Sequence, residues 1–322
     1  MRRTSPARLW LAKARTALLL CGACLWSTAA SAQLTVVTSI PPLAFIAADI
    51  LGTRGEAQAL TRAGDTPHHM TLTPSARLSA ARADLLLWVG ADLEVTLRGL
   101  FADDPRTVTA AGLAGMTLHT LKGHGSHASG THVDENHVEE NHVEEGHAAD
   151  THVDLHVWLN TDNARTLAAA LAERLSVIAP QDADYFAARL KAFNAEQARL
   201  REALTVELAD AAAQTPFAVY HDAYQYFEKQ FGLAHVLALV VDPERAPTLR
   251  ELAQTRAAIA RANPRCLLVE PDADAGIVAT ALNGQPLRRV EIDSLGYRTP
   301  PGEQHYARFM RRFADDVLAC LR

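Results

Sequence analysis

The stretch PQDADYFAARLKAFNAEQARLREALTVELADAA, residues 180–212, carries the longest periodic pattern in the chain. Its apolar side chains recur at intervals of three, four or seven residues: Phe186, Leu190, Phe193, Leu200, Leu204 and Leu208. Gln197 is the one polar residue on that stripe. An apolar face sustained over roughly six turns predicts a single long helix, long enough to act as a rigid connection between two domains. A coiled-coil dimerisation helix is the alternative, which the flanking pattern disfavours, and we expect a monomer.

Apolar, strand-like runs alternate with helical patterns on both sides of this helix. Before it, the strand patterns are 34–40 and 84–90 and the helical patterns 43–51, 76–82, 93–101 and 163–178. After it, the strand patterns are 217–220, 266–270 and 290–292 and the helical patterns 222–231, 248–261 and 305–320. The pattern 248–261 begins with Thr248 and Glu251 at the spacing of a capping box. Such alternation is typical of parallel sheets covered by helices. The predicted fold class is α/β, with two lobes, each a mainly parallel sheet flanked by helices, joined by one long rigid helix.

The first 32 residues read as a targeting segment. Five basic residues precede an apolar run at 16–26, and Ala30-Ser31-Ala32 forms a small-x-small cleavage site. The run is too short to span a bilayer, so we interpret residues 1–32 as a cleaved signal peptide and expect a periplasmic protein. The predicted domains are then an N-terminal lobe at 33–179, a linking helix at 180–212 and a C-terminal lobe at 213–322.

Removal of the signal changes both charge and cysteine content. The 31 basic residues become 26 against 37 acidic ones, so the formal charge moves from −6 to −11. An acidic protein is a poor partner for phosphate backbones, and we expect no nucleic-acid binding. Cys21 and Cys24 leave with the signal, and Cys266 and Cys320 remain. In an oxidising compartment these two can form one disulfide; two buried free thiols are the alternative.

A histidine-rich acidic run occupies residues 123–152. Five histidines recur at every fifth residue, and two more precede them: His124, His127, His132, His137, His142, His147 and His152. A period of five matches neither a helix nor a strand, which indicates a solvated loop. Imidazoles among carboxylates are typical of metal binding, so we interpret the run as an accessory metal loop. A solubilising acidic spacer is the alternative.

Three histidines outside this run occupy informative positions. His68 lies in the turn-rich loop GDTPHHM at 64–70, His156 lies where the chain becomes apolar after the acidic run, and His221 follows the strand pattern 217–220. Ligands of open α/β sheets bind beyond the carboxyl ends of strands, which favours His221 as a site residue. Taken singly, each could equally be a loop or half-buried histidine, and no compact motif joins them.

Several stretches of the sequence resemble a known family. They are TSIPPL at 38–43, ADLLLWVG at 83–90, HVWL at 156–159, HDAYQYFEKQFGL at 221–233, EP at 270–271 and DSLG at 293–296. With His68, LTPS at 72–75 and the cysteine pair, they resemble the zinc-binding, ZnuA-type receptors of bacterial ABC importers over essentially the whole mature chain.

The resemblance implies a metal site and a function. His68, His156 and His221 are the implied zinc ligands, in a cleft between the lobes. Some zinc members carry Glu where this chain has Pro67, so the fourth ligand must be water or another carboxylate, for which Asp293 matches a position that is a ligand in manganese members.

The implied function is high-affinity capture of Zn²⁺ for a membrane permease with a cytoplasmic ATPase, not catalysis. Three further functions remain open: a manganese receptor, a zinc-dependent hydrolase, and a zinc buffer or adhesin that uses the loop alone.

Overall fold

The computed structural model describes residues 33–121, 153–212, 215–240 and 246–322. The predicted signal segment 1–32 and the histidine-rich run 123–152 lie outside these described residues. The strands are β1 (Leu34–Thr38), β2 (Gly55–Ala59), β3 (Leu85–Trp88), β4 (Thr107–Thr109), β5 (His119–Thr120), β6 (Val153–Asp154), β7 (Ala218–His221), β8 (Leu237–Val240), β9 (Cys266–Val269) and β10 (Arg288–Glu291). The α-helices are α1 (Pro41–Leu51), α2 (Pro74–Arg82), α3 (Arg98–Phe101), α4 (Thr161–Ile178), α5 (Ala183–Ala212), α6 (Gln225–Phe231), α7 (Leu249–Ala262), α8 (Ala275–Leu282) and α9 (His305–Leu321).

Two four-stranded parallel sheets organise the chain. The first has the strand order β2-β1-β3-β4 and the second the order β10-β9-β7-β8. Strands β5 and β6 form a separate antiparallel pair. The predicted fold class is therefore confirmed: two parallel sheets flanked by helices, with a long helix between them in the sequence. Because all strands of a sheet run in one direction, their carboxyl ends meet at one edge, where the connecting loops carry polar side chains.

Local sequence signals define where several helices begin. Pro41 and Pro42 occupy the first turn of α1, where a missing N–H costs nothing. Thr248 and Glu251 form the predicted capping box of α7. The Asn160 side chain accepts two backbone N–H groups at the start of α4, and this cap follows directly on the predicted site residue His156 and its apolar neighbours.

Helix α5 confirms the periodic pattern from which the fold was predicted. Five of its six stripe side chains are buried, with Phe186, Leu204 and Leu208 fully so, and Leu190 is half-buried. The stripe belongs to one hydrophobic cluster that also includes side chains of β1, α1, α4, β7, β9 and α9, so both sheets share a core. Smaller clusters cover the outer face of each sheet. Gln197 is also buried, and neither its Oε1 nor its Nε2 has a hydrogen-bond partner among the described residues.

The helix expected over 93–101 is shorter than predicted. Residues 95–97 form a 3-10 turn and α3 begins only at Arg98. The physical reason is Glu94, whose fully buried carboxylate accepts the backbone N–H groups of Val89 and Gly90 at 2.8 and 3.1 Å. A side chain turned back onto the end of β3 holds the chain in a turn, so the apolar pattern does not continue as a helix.

Two further findings bear on the class of protein. Among the residues that the structure describes, no helix is both long and apolar enough to cross a membrane. Cys266 of β9 and Cys320 of α9 form a disulfide, which confirms the predicted pairing. Both residues are fully buried in the shared core, and the bridge ties the C-terminal helix to the middle of the second sheet.

The disulfide should contribute strongly to stability. It joins residues 54 positions apart, for which the chain-entropy argument gives about 4 kcal/mol. We expect the variant Cys266→Ala with Cys320→Ala to lose a free energy of unfolding of this order, measured by denaturant titration under oxidising conditions. Thiol titration of the unfolded wild type, which should detect no free thiol, is the control. Equal unfolding midpoints for the two proteins would contradict the prediction.

Candidate metal centre

His68 lies in the long loop, residues 60–73, between β2 and α2. Thr66 and His69 close a turn within this loop: the Thr66 N–H donates to the His69 carbonyl at 3.1 Å, and the His69 N–H donates to Thr66 Oγ1 at 2.9 Å. Pro67 and His68 lie between these two hydrogen-bonded residues, and Pro67 is buried. His69 is exposed at the rim of the same cleft. The loop therefore directs one histidine of the pair inward and leaves its neighbour at the surface.

His156 is held by a carboxylate two residues before it. Asp154 Oδ1 accepts the backbone N–H of His156 at 2.9 Å and contacts its ring Nδ1 at 2.8 Å. Because a carboxylate only accepts, Nδ1 carries the proton of a neutral ring and the Nε2 lone pair remains for a metal. The Trp158 ring lies 5.2 Å from the His156 ring, and its Nε1 donates to the Ser294 carbonyl of the C-terminal half at 2.9 Å.

His221 is the last residue of β7, at the carboxyl end of a central strand of the second sheet. Its ring centroid lies 5.0 Å from that of His156 and 5.5 Å from that of His68, and the centroids of His68 and His156 are 5.6 Å apart. One ring nitrogen of each histidine lies within 4.8 Å of the other two. The structure thus brings together three histidines separated by 88 and 65 positions in the sequence, two from the first half and one from the second.

Burial keeps two of these rings in the form that binds a metal. Desolvation, with a smaller effect of the neighbouring imidazoles, lowers the pKa of His68 to about 3. Desolvation, followed by the charges of His156 and His68, also places the pKa of His221 well below its ordinary value. Metal binding requires neutral imidazole. At neutral pH no proton has to leave either ring before a cation enters.

Glu270 adds a carboxyl group to the same cleft. It follows β9 directly, and its Oε1 lies 3.9 Å from His221 Nδ1. Burial raises the pKa of Glu270 to about 8, and the Tyr224 hydroxyl donates to Oε1. Its Oε2 is buried without a hydrogen-bond partner among the described residues. A buried carboxyl oxygen without a partner, on a side chain whose other oxygen lies near an imidazole nitrogen, fits a site that receives a cation.

Asp293, suggested from sequence as a fourth ligand, is not brought into this group of side chains. Its Oδ1 accepts the Tyr297 N–H at 3.1 Å and its Oδ2 accepts the Arg298 N–H at 2.7 Å. The Arg298 guanidinium also lies 3.6 Å from Oδ2. The carboxylate therefore holds a turn and lies next to a guanidinium that also contacts Asp316 and Glu291. Sequence reasoning did not single out Asp154, although an Asp two residues before a candidate histidine was a visible signal.

The three histidines line a cleft of about 320 Å³ between the two halves. Thr66, Pro67 and Trp158 lie on one side, and Tyr220 and Glu270 on the other. Asp272 and Asp274 add carboxylates to the second side. A cleft with converging imidazoles and an acidic wall is suited to hold a divalent cation.

Two α/β halves joined by one helix, with three imidazoles meeting between them, define a metal-receptor solute-binding protein. Residues 36–320 match the family model described as ZnuA, "Zinc-uptake complex component A periplasmic". The chain belongs to the ZnuA family, so the resemblance noted in the sequence is confirmed.

Similar proteins agree with this assignment. The chain is 33% identical over 295 residues to the "High-affinity zinc uptake system protein ZnuA" of Haemophilus ducreyi, covering 90% of this chain and 94% of the relative. The protein of the same name from Brucella abortus is 30% identical over 310 residues, covering 89% and 91%. Among solved structures, a crystal structure of ZnuA matches with a TM-score of 0.70 at 19% identity, covering 90% of this chain and 100% of that chain. A Zn(II)-bound mutant of AdcAII from Streptococcus pneumoniae matches with a TM-score of 0.71 at 18% identity, covering 90% and 99%.

The lowered pKa of His68 predicts an acid sensitivity of the metal-free protein. Its folded pKa of about 3 lies below the unfolded value of 6.5, so the unfolded state binds more protons between these two pH values and stability falls as pH falls through that window. Between pH 7.5 and 5, wild type should lose about 2 kcal/mol more unfolding free energy than His68→Gln. Urea titrations in the presence of a chelator would measure this difference. His69→Gln, on the exposed neighbour, should follow wild type; parallel curves for wild type and His68→Gln would contradict the prediction.

Proposed function

We propose that this protein is an exported receptor that captures Zn²⁺ in the periplasm and delivers it to an ABC permease with a cytoplasmic ATPase. The observation that carries the proposal is the meeting of His68, His156 and His221 across two halves of a ZnuA-family fold. Relatives that match nine-tenths of the chain are named high-affinity zinc uptake proteins. The family description as periplasmic supports export through cleavage of residues 1–32.

The donor set favours zinc over manganese. Imidazole nitrogen suits Zn²⁺, whereas Mn²⁺ prefers carboxylate, carbonyl and water oxygens. A ligand set of three histidines and at most one carboxyl group would leave Mn²⁺ with mainly nitrogen ligands. Because the rings come from both halves, an ion bound by all three bridges them, and release requires the loss of a ligand from one half. This is the behaviour expected of a receptor that must hold its cargo until it meets a transporter.

We further propose Glu270, in place of Asp293, as the carboxyl group that faces the ion. Its unpartnered Oε2 and its position at the carboxyl end of β9, beside β7, support this assignment. When zinc binds, the proton that burial favours on Glu270 would leave, and the carboxylate would add one negative charge to three neutral rings. If Glu270 is not a ligand, water fills the fourth position of a tetrahedral ion.

The histidine-rich run 123–152 is proposed as an accessory that collects zinc near the cleft or senses its abundance. The two short strands on either side of the run, β5 and β6, pair with each other and place His119 opposite Asp154. Asp154 in turn contacts His156. The described residues that flank the run therefore lie close to His156, while the proposed tight site is complete without the run. A ZnuA deletion mutant with zinc bound is among the solved structures with this fold.

The tight site should depend on His221 and not on the run. We expect His221→Ala to weaken the tight phase of zinc binding by at least about 100-fold, because a ligand contributes more than the groups that support one. Deletion of residues 123–151 should leave that phase intact and remove only weaker binding. Calorimetry with a competing chelator measures both. Loss of tight binding on the deletion, with retention in His221→Ala, would refute the assignment.

Glu270→Gln tests the fourth position. The amide keeps the size and can still accept from Tyr224, but it brings no negative charge. We expect zinc affinity to fall by roughly 10- to 100-fold, with a smaller effect for Asp272→Asn, a matched change of an exposed carboxylate on the same cleft wall. Unchanged affinity in Glu270→Gln would assign the fourth position to water.

A further inference from the structure

Gln225 makes a contact between the two halves that reaches the metal centre. It is the first residue of α6, four positions after His221. Its Nε2 donates to Asp154 Oδ2 at 3.2 Å and to the Thr120 carbonyl at 3.3 Å. Asp154 and Thr120 belong to β6 and β5 of the N-terminal half. One amide from the C-terminal half thus contacts both strands of the antiparallel pair beside His156.

The orientation of this amide is set by a third residue. The Lys229 ammonium group, one helical turn later in α6, donates to Gln225 Oε1. Because an ammonium group only donates, the carbonyl side of the amide must face Lys229 and the NH₂ side must face Asp154. Lys229 is exposed and makes no contact with the metal centre in the described residues. The amide is therefore arranged to give hydrogens to the first half.

Asp154 connects this amide to His156. Its side chain is fully buried, Oδ1 contacts His156, and Oδ2 receives the hydrogen bond from Gln225. Its carbonyl oxygen also accepts from the Tyr226 hydroxyl at 2.5 Å. If Gln225 is removed, a buried carboxylate oxygen loses its donor, and the carboxylate can rotate to share its remaining partners. Rotation would loosen the contact between Asp154 Oδ1 and His156 Nδ1, which sets the tautomer of the His156 ring and helps to orient it.

We propose that Gln225 is a positioning residue for the zinc site: through Asp154 it orients His156 from across the cleft and so slows zinc release. The inference rests on the proposed zinc-receptor function. Since Gln225 and His221 lie in one segment, the half that supplies one ligand also orients a ligand of the other half. The His156 ring is held in its metal-binding orientation only when the two halves are in contact. Separation of the halves would therefore also weaken the hold on the metal.

The same helix offers a matched control. Gln230 also spans the halves: its Oε1 accepts the Thr161 N–H at 3.0 Å, and its Nε2 donates to Thr161 Oγ1 at 2.9 Å. It has no contact with Asp154 or His156 among its hydrogen bonds in the described residues. An effect of general docking would appear in both Gln→Leu variants, whereas an effect of positioning would appear only at Gln225.

The test compares Gln225→Leu with Gln230→Leu in the full mature chain. We expect Gln225→Leu to release zinc roughly 10- to 100-fold faster, in stopped-flow transfer to a chelator, with little change in the association rate. In the zinc-free protein, nitrogen NMR should show the His156 ring changing from a single Nδ1–H tautomer to a mixture. Gln230→Leu should keep wild-type release and the wild-type ring signal.

Each outcome decides the inference. Wild-type release from Gln225→Leu, or equally fast release from Gln230→Leu, would overturn it. If Gln225→Leu does not fold, Lys229→Met replaces it. Loss of the hydrogen bond from Lys229 to the Gln225 carbonyl should also speed zinc release, by a smaller factor. An unchanged release rate in Lys229→Met would overturn the inference. The proposed function fails separately, if wild type shows no tight zinc phase or His221→Ala retains it.

Discussion

The constraint on which the structure depends is that three imidazole rings share one buried cleft. Their centroids lie between 5.0 and 5.6 Å apart, so a positive charge on one ring raises the energy of a charge on the next. Desolvation adds to this repulsion and is the larger cause of the low pKa values of His68 and His221. A site that resists protonation in this way stays ready for a cation, and a bound cation in turn relieves the cost of keeping polar nitrogens away from water.

Holding rings from two halves at this spacing requires that the halves meet in a defined way. The shared core holds the two halves together through hydrophobic contacts, which have no preferred direction, since one apolar cluster includes side chains of both sheets and of α5. The relative orientation of the halves is set by hydrogen bonds that join them near the metal centre. The Trp158 indole donates to the Ser294 carbonyl, and the Tyr306 hydroxyl donates to the Trp158 carbonyl at 2.7 Å. These bonds fix the short turn that follows His156, so the ring is placed from both sides of the cleft.

Sequence reasoning succeeded where a pattern was long or chemically specific. The stripe of α5, the capping box of α7 and the apolar strands β1, β3 and β9 were all predicted from their residues. Strands β2, β4 and β8 were not predicted. The β2 sequence GEAQA has no apolar run, and β4 has only three residues. Short edge strands of this kind are formed because a neighbouring strand offers hydrogen-bonding groups, and that partner cannot be seen within a local window of sequence.

Periodicity and residue chemistry are local properties, so the sequence alone predicted the α/β class, the long connecting helix, the one possible disulfide and the three candidate histidines. Tertiary contacts place Glu270 beside His221, while Asp293 accepts backbone N–H groups and neighbours Arg298. They also bring Gln225 into contact with Asp154, 71 positions away. Such pairs are made by the packing of two halves, and no spacing within either half encodes them.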